Sequence, residues 1–195
     1  MKSKSQAVRR KALIKRPPIY LMGGKSSKNI KDYAYENYCR NNNCRDNNLW
    51  SNDMFIGRKE ELAKLERHYD SGEFEFAVID GRRRIGKTTL ISEFVKDKAT
   101  IFFTGMQENA NSNLKYLSQA VLKFENPTST GTASFPSFND LLEEVGKIAA
   151  KQRVVWIIDE YPYLAESYPG FSSLLQKFID RVFLKTKLFL ILCGS

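Results

Sequence analysis

Residues 81–88, Gly-Arg-Arg-Arg-Ile-Gly-Lys-Thr, hold the strongest chemical pattern in the 195-residue chain, with the spacing G-x-x-x-x-G-K-[ST]. Glycines let a backbone curl so that successive N–H groups converge on phosphate oxygens. A helix that follows such a turn aims its positive end at the same point. The Lys87 ammonium then reaches the β- and γ-phosphates, and the Thr88 hydroxyl supplies a ligand to Mg²⁺. The expected nucleotide contacts are Gly81, Arg82, Arg83, Arg84, Ile85, Gly86, Lys87, Thr88 and Thr89, with ATP and Mg²⁺ as the bound species. The three arginines carry two readings, phosphate contact or, for at least two of them, a solvated loop tip.

A phosphate cradle needs further groups before it cuts ATP: a carboxylate for the metal and a group that activates water. About seventy residues after Lys87 stands Val154-Val-Trp-Ile-Ile-Asp159-Glu160. An acid at the end of a parallel strand lies at the edge where α/β sheets bind ligands. Asp159 is therefore expected to hold Mg²⁺ through water, and Glu160 to polarise the attacking water. Taken alone, an Asp-Glu pair also fits a turn closing a buried strand; the phosphate loop upstream favours the catalytic reading. No D-x-x-G or N-K-x-D follows in an appropriate place, which speaks against the small GTPases.

The elements that must position these residues are legible in the hydrophobic pattern. Leu62, Leu65 and Tyr69 share one helical face that stops at Gly72, and residues 74–80 form a short buried strand. A helix follows at 87–96, a strand at 100–104, and a helix carrying Leu114, Leu117, Val121 and Phe124. Residues 126–137 read as a loop. Ser137 caps the next helix, with Asp140 three residues on as a capping-box variant. Strands at 154–159 and 188–192 flank a helix over about 172–185. Strands alternate with helices, and 154–158 and 188–192 are apolar on both faces. That pattern predicts an α/β, three-layer fold with a parallel sheet covered by helices on both sides.

The net charge of +9 is concentrated at one end. Residues 1–53 carry 12 Lys/Arg against 4 Asp/Glu, a net +8, and residues 54–195 carry 19 against 18, a net +1. Lys/Arg clusters, Pro17-Pro18, Gly23-Gly24 and an Asn-rich tract at 41–48 make 1–53 read as a poorly ordered extension. Any attraction to nucleic acid must come from that extension. No run of 18 apolar residues and no secretory signal is present, so no membrane contact is expected. Cys39, Cys44 and Cys193 form no disulfide framework, and His68 is the only histidine to set beside them, too few for a zinc site. Free thiols fit a reducing, cytoplasmic setting.

From Met54 onward the chain resembles the prokaryotic AAA-type P-loop ATPases, an archaeal and bacterial group related to the STAND and origin-recognition ATPases. The resemblance rests on FIGRKEEL at 55–62, YDSGEFEFAVIDGRRRIGKTTLI at 69–91, IFFTG at 101–105, VVWIIDEYPYL at 154–164 and LFLILCGS at 188–195. It implies an ASCE-type core in which Phe55, Ile56, Gly57 and Arg58 lie against adenine and ribose, and in which Ser195 ends a sensor-1 strand and monitors the γ-phosphate. With Lys87 and Glu160, Ser195 completes the implied catalytic set. The resemblance also implies a sheet order of 5-1-4-3-2 and a helical lid. The chain reaches only the sensor-1 strand, so the last strand and the lid are expected to be missing and the strand at 74–80 to form an open apolar edge. Residues 1–53 lie outside the pattern, either a basic tail or an over-extended reading frame whose true start is Met54.

The implied activity is Mg²⁺-dependent ATP hydrolysis driving a nucleotide switch. Three rivals stand beside it: a nucleotide-binding fragment without efficient turnover, a nucleic-acid-binding ATPase using the basic tail, and a small-molecule kinase, for which neither acceptor pocket nor lid is visible. An activating partner and the oligomeric state are not encoded in any motif found here.

Overall fold

The computed structural model describes residues 19–23 as backbone, and residues 58–82, 85–128 and 132–194. The elements are β1 (Ile19–Gly23), α1 (Lys59–Asp70), β2 (Glu75–Asp80), α2 (Lys87–Val95), β3 (Thr100–Thr104), α3 (Ala110–Glu125), α4 (Phe138–Lys151), β4 (Val154–Asp159), α5 (Tyr161–Ser167), α6 (Phe171–Arg181), a 3₁₀ turn (Phe183–Lys185) and β5 (Leu188–Gly194). The strand order is β1-β2-β5-β4-β3. The last four strands run parallel, with Val78 opposite Leu192, Ile157 opposite Ile191, and Thr104 opposite Asp159. This is the expected α/β, three-layer arrangement of a P-loop NTPase core.

The alternation along β4 and β5 explains the layers. Val154, Trp156, Ile158, Leu188, Leu190 and Leu192 join the cluster under α3, α4, α5 and α6. Val155, Ile157, Phe189, Ile191 and Cys193 join the cluster under α1 and α2, with Leu65, Leu90, Ile91 and Phe94. Both faces of these strands are therefore buried, as continuous apolar runs require in a parallel sheet. Helix starts follow the polar signals: Asn109 accepts from the Ser112 N–H at 3.0 Å, and Ser137 accepts from the Asp140 N–H at 3.2 Å while its hydroxyl donates to the Asp140 carboxylate at 2.6 Å.

Three details differ from the sequence expectation. The expected open edge at 74–80 is covered, because β1 pairs antiparallel along β2 with Ile19 opposite Ile79 and Gly23 opposite Glu75. This strand lies within the extension read as poorly ordered; its partner is more than fifty residues away, beyond the reach of local patterning. The helix expected over 172–185 ends at Arg181, where Val182 leaves helical geometry (φ −120°, ψ −60°), and resumes as the 3₁₀ turn. The short α5 was not expected, since seven residues beginning Tyr161-Pro162 show too little periodicity to be read as a helix.

Candidate functional site

Because β2, β5 and β4 are parallel neighbours, the loop after β2 and the acids closing β4 emerge at the same edge of the sheet. Gly86 forms the turn into α2 in the left-handed region (φ 79°, ψ 29°), and its carbonyl accepts the Leu90 N–H at 3.1 Å. Only glycine adopts that conformation without a Cβ penalty. Thr88 and Thr89 sit exposed in the first turn of α2, with the helix's free N–H groups.

Lys87 is 8% exposed. Its Nζ donates to the Gly81 carbonyl and, at 3.3 Å, to that of Arg82, so the ammonium lies inside the curl of its own loop. Burial pulls its pKa below the ordinary lysine value, and Glu160, Asp80 and Asp159, in that order, push it back up. Glu160 is thus the strongest of the negative charges acting on Lys87, which ties the end of β4 to the loop electrostatically.

Asp159 is half-buried, and burial raises its carboxyl above the usual range, opposed by a hydrogen bond from the Glu160 N–H (3.1 Å to Oδ1) and by Lys87. Asp80 shows the same balance, raised by burial and lowered by the Gly81 N–H and Lys87. Asp80 escaped the sequence reading; the available signal was an acid closing a strand directly before the first glycine of the loop. Three carboxylates therefore act electrostatically on one ammonium, an excess of negative charge that fits a site completed by a divalent cation. Among the described residues no group of three His, Cys, Asp or Glu side chains forms a metal cluster. Mg²⁺ does not ask for one, because it is commonly held by one or two protein oxygens together with waters and phosphate oxygens. The exposed Thr88 hydroxyl and the Asp159 carboxylate fit that donor set.

Glu160 has φ 47° and ψ 44°, the only non-glycine residue with positive φ among the described residues. That conformation costs about 1–2 kcal/mol in an L-residue and persists only where surrounding structure imposes it. Here the constraint comes from the loop that follows β3: the Gly105 N–H donates to the Asp159 carbonyl at 2.7 Å, and Gly105 packs on the Glu160 carbonyl. On the far side, Tyr161 is buried and donates or accepts at 2.8 Å with Ser172, which anchors α5 to α6; burial pushes its hydroxyl up to about 12.

Arg58 precedes α1 and donates from Nη2 to the Ile85 carbonyl, so the end of the 55–58 segment touches the phosphate loop. Phe55, Ile56, Gly57, Arg83, Arg84 and Ser195 lie outside the described residues, as do Cys39 and Cys44. Cys193 is a buried free thiol, and burial holds its pKa well up. No described helix is long and apolar enough to cross a membrane.

A parallel sheet, a buried loop lysine after β2 and acids at the end of β4 define a P-loop NTPase-like domain. Residues 55–195 match the family described as an ATPase domain predominantly from Archaea, and the chain belongs to that family. Among curated proteins, it is 34% identical over 142 residues to an uncharacterized protein of Methanocaldococcus jannaschii, covering 73% of this chain and 30% of that protein. It is also 47% identical over 45 residues to an uncharacterized ATP-binding protein of the same organism, covering 23% of this chain and 76% of the relative. The chain thus spans about a third of the first relative's length.

Proposed function

We propose that the chain binds ATP with Mg²⁺ in the loop 81–88 and hydrolyses it, in the manner of AAA- and STAND-related nucleotide switches. The observation that carries the reading is Lys87: a buried ammonium inside a glycine-turned loop, acted on by Glu160, Asp80 and Asp159 from the ends of β2 and β4, the two strands that flank β5. The ATP-binding description of one relative supports the choice of nucleotide.

In this reading Lys87 gives up its loop carbonyls for the β- and γ-phosphate oxygens, and the first-turn N–H groups of α2 complete the cradle. Gly81, Arg82, Arg83, Arg84, Ile85 and Gly86 shape the loop. Thr88 and Asp159 would hold Mg²⁺, which supplies charge neutralisation across the phosphates. Glu160 accepts a proton from the attacking water, and Lys87 stabilises charge on the departing oxygens. Arg58, with Phe55 to Gly57, would line the nucleoside, and Ser195 would report the γ-phosphate. The basic extension 1–53 stays a candidate nucleic-acid contact in a cytoplasmic protein, tested by a steep salt dependence of DNA binding that disappears when 1–53 is removed.

Turnover decides between hydrolysis and binding alone. Phosphate release should require Mg²⁺ and stop with EDTA. Glu160→Gln should lower it by about 10²–10⁴-fold while Mg·ATP still binds within about threefold of the unsubstituted chain. Binding without any Mg²⁺-dependent release would overturn the hydrolytic part.

A further inference from the structure

The strained Glu160 peptide is held from outside its own strand, by the loop that follows β3. Gly105 is buried at the start of that loop. A Cβ built on it would lie 2.5 Å from the Glu160 carbonyl oxygen, 3.3 Å from its carbon and 3.2 Å from the Leu164 nitrogen. All three atoms are backbone, so no side chain can swing aside. The same residue donates its N–H to Asp159. Gly105 therefore touches the backbone of both acids that close β4.

The loop in turn is fixed by Asn113, a fully buried amide on α3. Its Oδ1 accepts the Met106 N–H at 3.0 Å, and its Nδ2 faces the carbonyls of Met106 (3.0 Å), Glu108 (3.2 Å) and Asn109 (3.4 Å). Nδ2 also lies 3.2 Å from the Ser167 hydroxyl, which donates to the Leu164 carbonyl at 2.9 Å. One buried side chain thus joins the 105–109 loop to the far end of α5, whose near end begins at Glu160. A buried polar network satisfied this fully specifies a single arrangement.

We propose that Gly105, in a loop locked by Asn113, is a positioning residue for Glu160: it seats the left-handed Glu160 peptide so that the carboxylate faces Lys87 and the attacking water. The proposal rests on the reading of Glu160 as the water-activating group. It makes the space at Gly105 a requirement of the chemical step and not of nucleotide binding, because Gly105 bears on the backbone of Asp159, Glu160 and Leu164.

The test is single-turnover phosphate release from Mg·ATP, with enzyme in excess, for the full chain and four variants. Gly105→Ala should slow release more than tenfold while the Mg·ATP dissociation constant stays within threefold. In the Glu160→Gln background the same substitution should change the residual rate less than twofold, since groups acting as one unit are not additive. Asn113→Ser, which keeps a hydroxyl for part of the network, should slow release severalfold with unchanged affinity, and it carries the test if the alanine chain does not fold. Wild-type release rates in Gly105→Ala and Asn113→Ser would overturn the proposal. So would losses as large in the Glu160→Gln background, or losses matched by weakened binding, since a merely structural role predicts both. Full turnover by Glu160→Gln alone would overturn the underlying reading of Glu160, and no Mg²⁺-dependent release by the unsubstituted chain would overturn hydrolysis itself.

Discussion

Gly86 offers a perturbation whose size follows from geometry alone. Its φ of 79° lies in the left-handed region, and a Cβ added there meets no atom of the described residues within 4 Å beyond its own chain neighbours. Among the described residues, then, nothing crowds a side chain there, and the backbone conformation is what resists substitution. For alanine the cost is about 1–2 kcal/mol. At roughly 2–4 °C per kcal/mol for a chain of this size, the nucleotide-free midpoint should fall by about 2–8 °C. Asparagine tolerates the conformation better and should lose less; a β-branched valine should lose most. The substituted loop can also relax in the free state and must be forced back to accept phosphate. Each 1.4 kcal/mol restored on binding weakens Mg·ATP affinity by about tenfold. Thermal melts followed by circular dichroism, paired with titration calorimetry, measure both quantities across Gly86→Asn, Gly86→Ala and Gly86→Val. The reasoning fails if the valine variant melts with the unsubstituted chain, or if asparagine, larger than alanine, proves the worse of those two.

Two further outcomes follow from the site and the sheet edge. Asp159→Asn removes a carboxylate whose pKa burial raises; the native chain bears that cost only when Asp159 is ionised, so the variant should melt higher than wild type near neutral pH. Its advantage should shrink as the pH falls through the raised folded pKa and vanish below the unfolded value of about 3.8, while its Mg²⁺-dependent response to ATP is lost; an unchanged or lower melting point at pH 7 contradicts the charge balance described. Removing residues 1–24 strips β1 from β2 and leaves an unpaired strand edge, so light scattering should report concentration-dependent association of the shortened chain; a monomer as soluble as the full chain would show that β1 does not protect that edge.

Much of the candidate site is legible in the sequence because its signals are local. The loop 81–88 declares itself by spacing, and Asp159-Glu160 by standing at the end of an unbroken apolar run. The layer structure follows from the double-sided apolarity of β4 and β5, and Ser137 with Asp140 marks a helix start correctly. What stays hidden is what depends on contacts across the fold. Nothing in TIFFTG reveals that Gly105 must be bare because another strand's carbonyl lies against it. Asn113 stands four residues before Leu117 on the buried stripe of α3, but nothing in its spacing reveals the loop carbonyls its fully buried amide meets. The left-handed turn at Glu160 is held by Gly105, just after β3, against the preference of a non-glycine residue. β1, Ile-Tyr-Leu-Met-Gly, is itself apolar and compatible with a strand; it is hidden by the basic, Asn-rich sequence around it and by a partner strand more than fifty residues away.

The most direct test of nucleotide binding at the loop 81–88 is the thermal midpoint of the full chain with and without Mg·ATP, beside Lys87→Ala. Ligand at a hundred times its dissociation constant stabilises the folded state by about 2.7 kcal/mol, a rise of roughly 5–11 °C at this size. The account predicts that rise in the unsubstituted chain and its loss in Lys87→Ala. A cooperative melt that ATP leaves unmoved, or an equal rise in both chains, would contradict it.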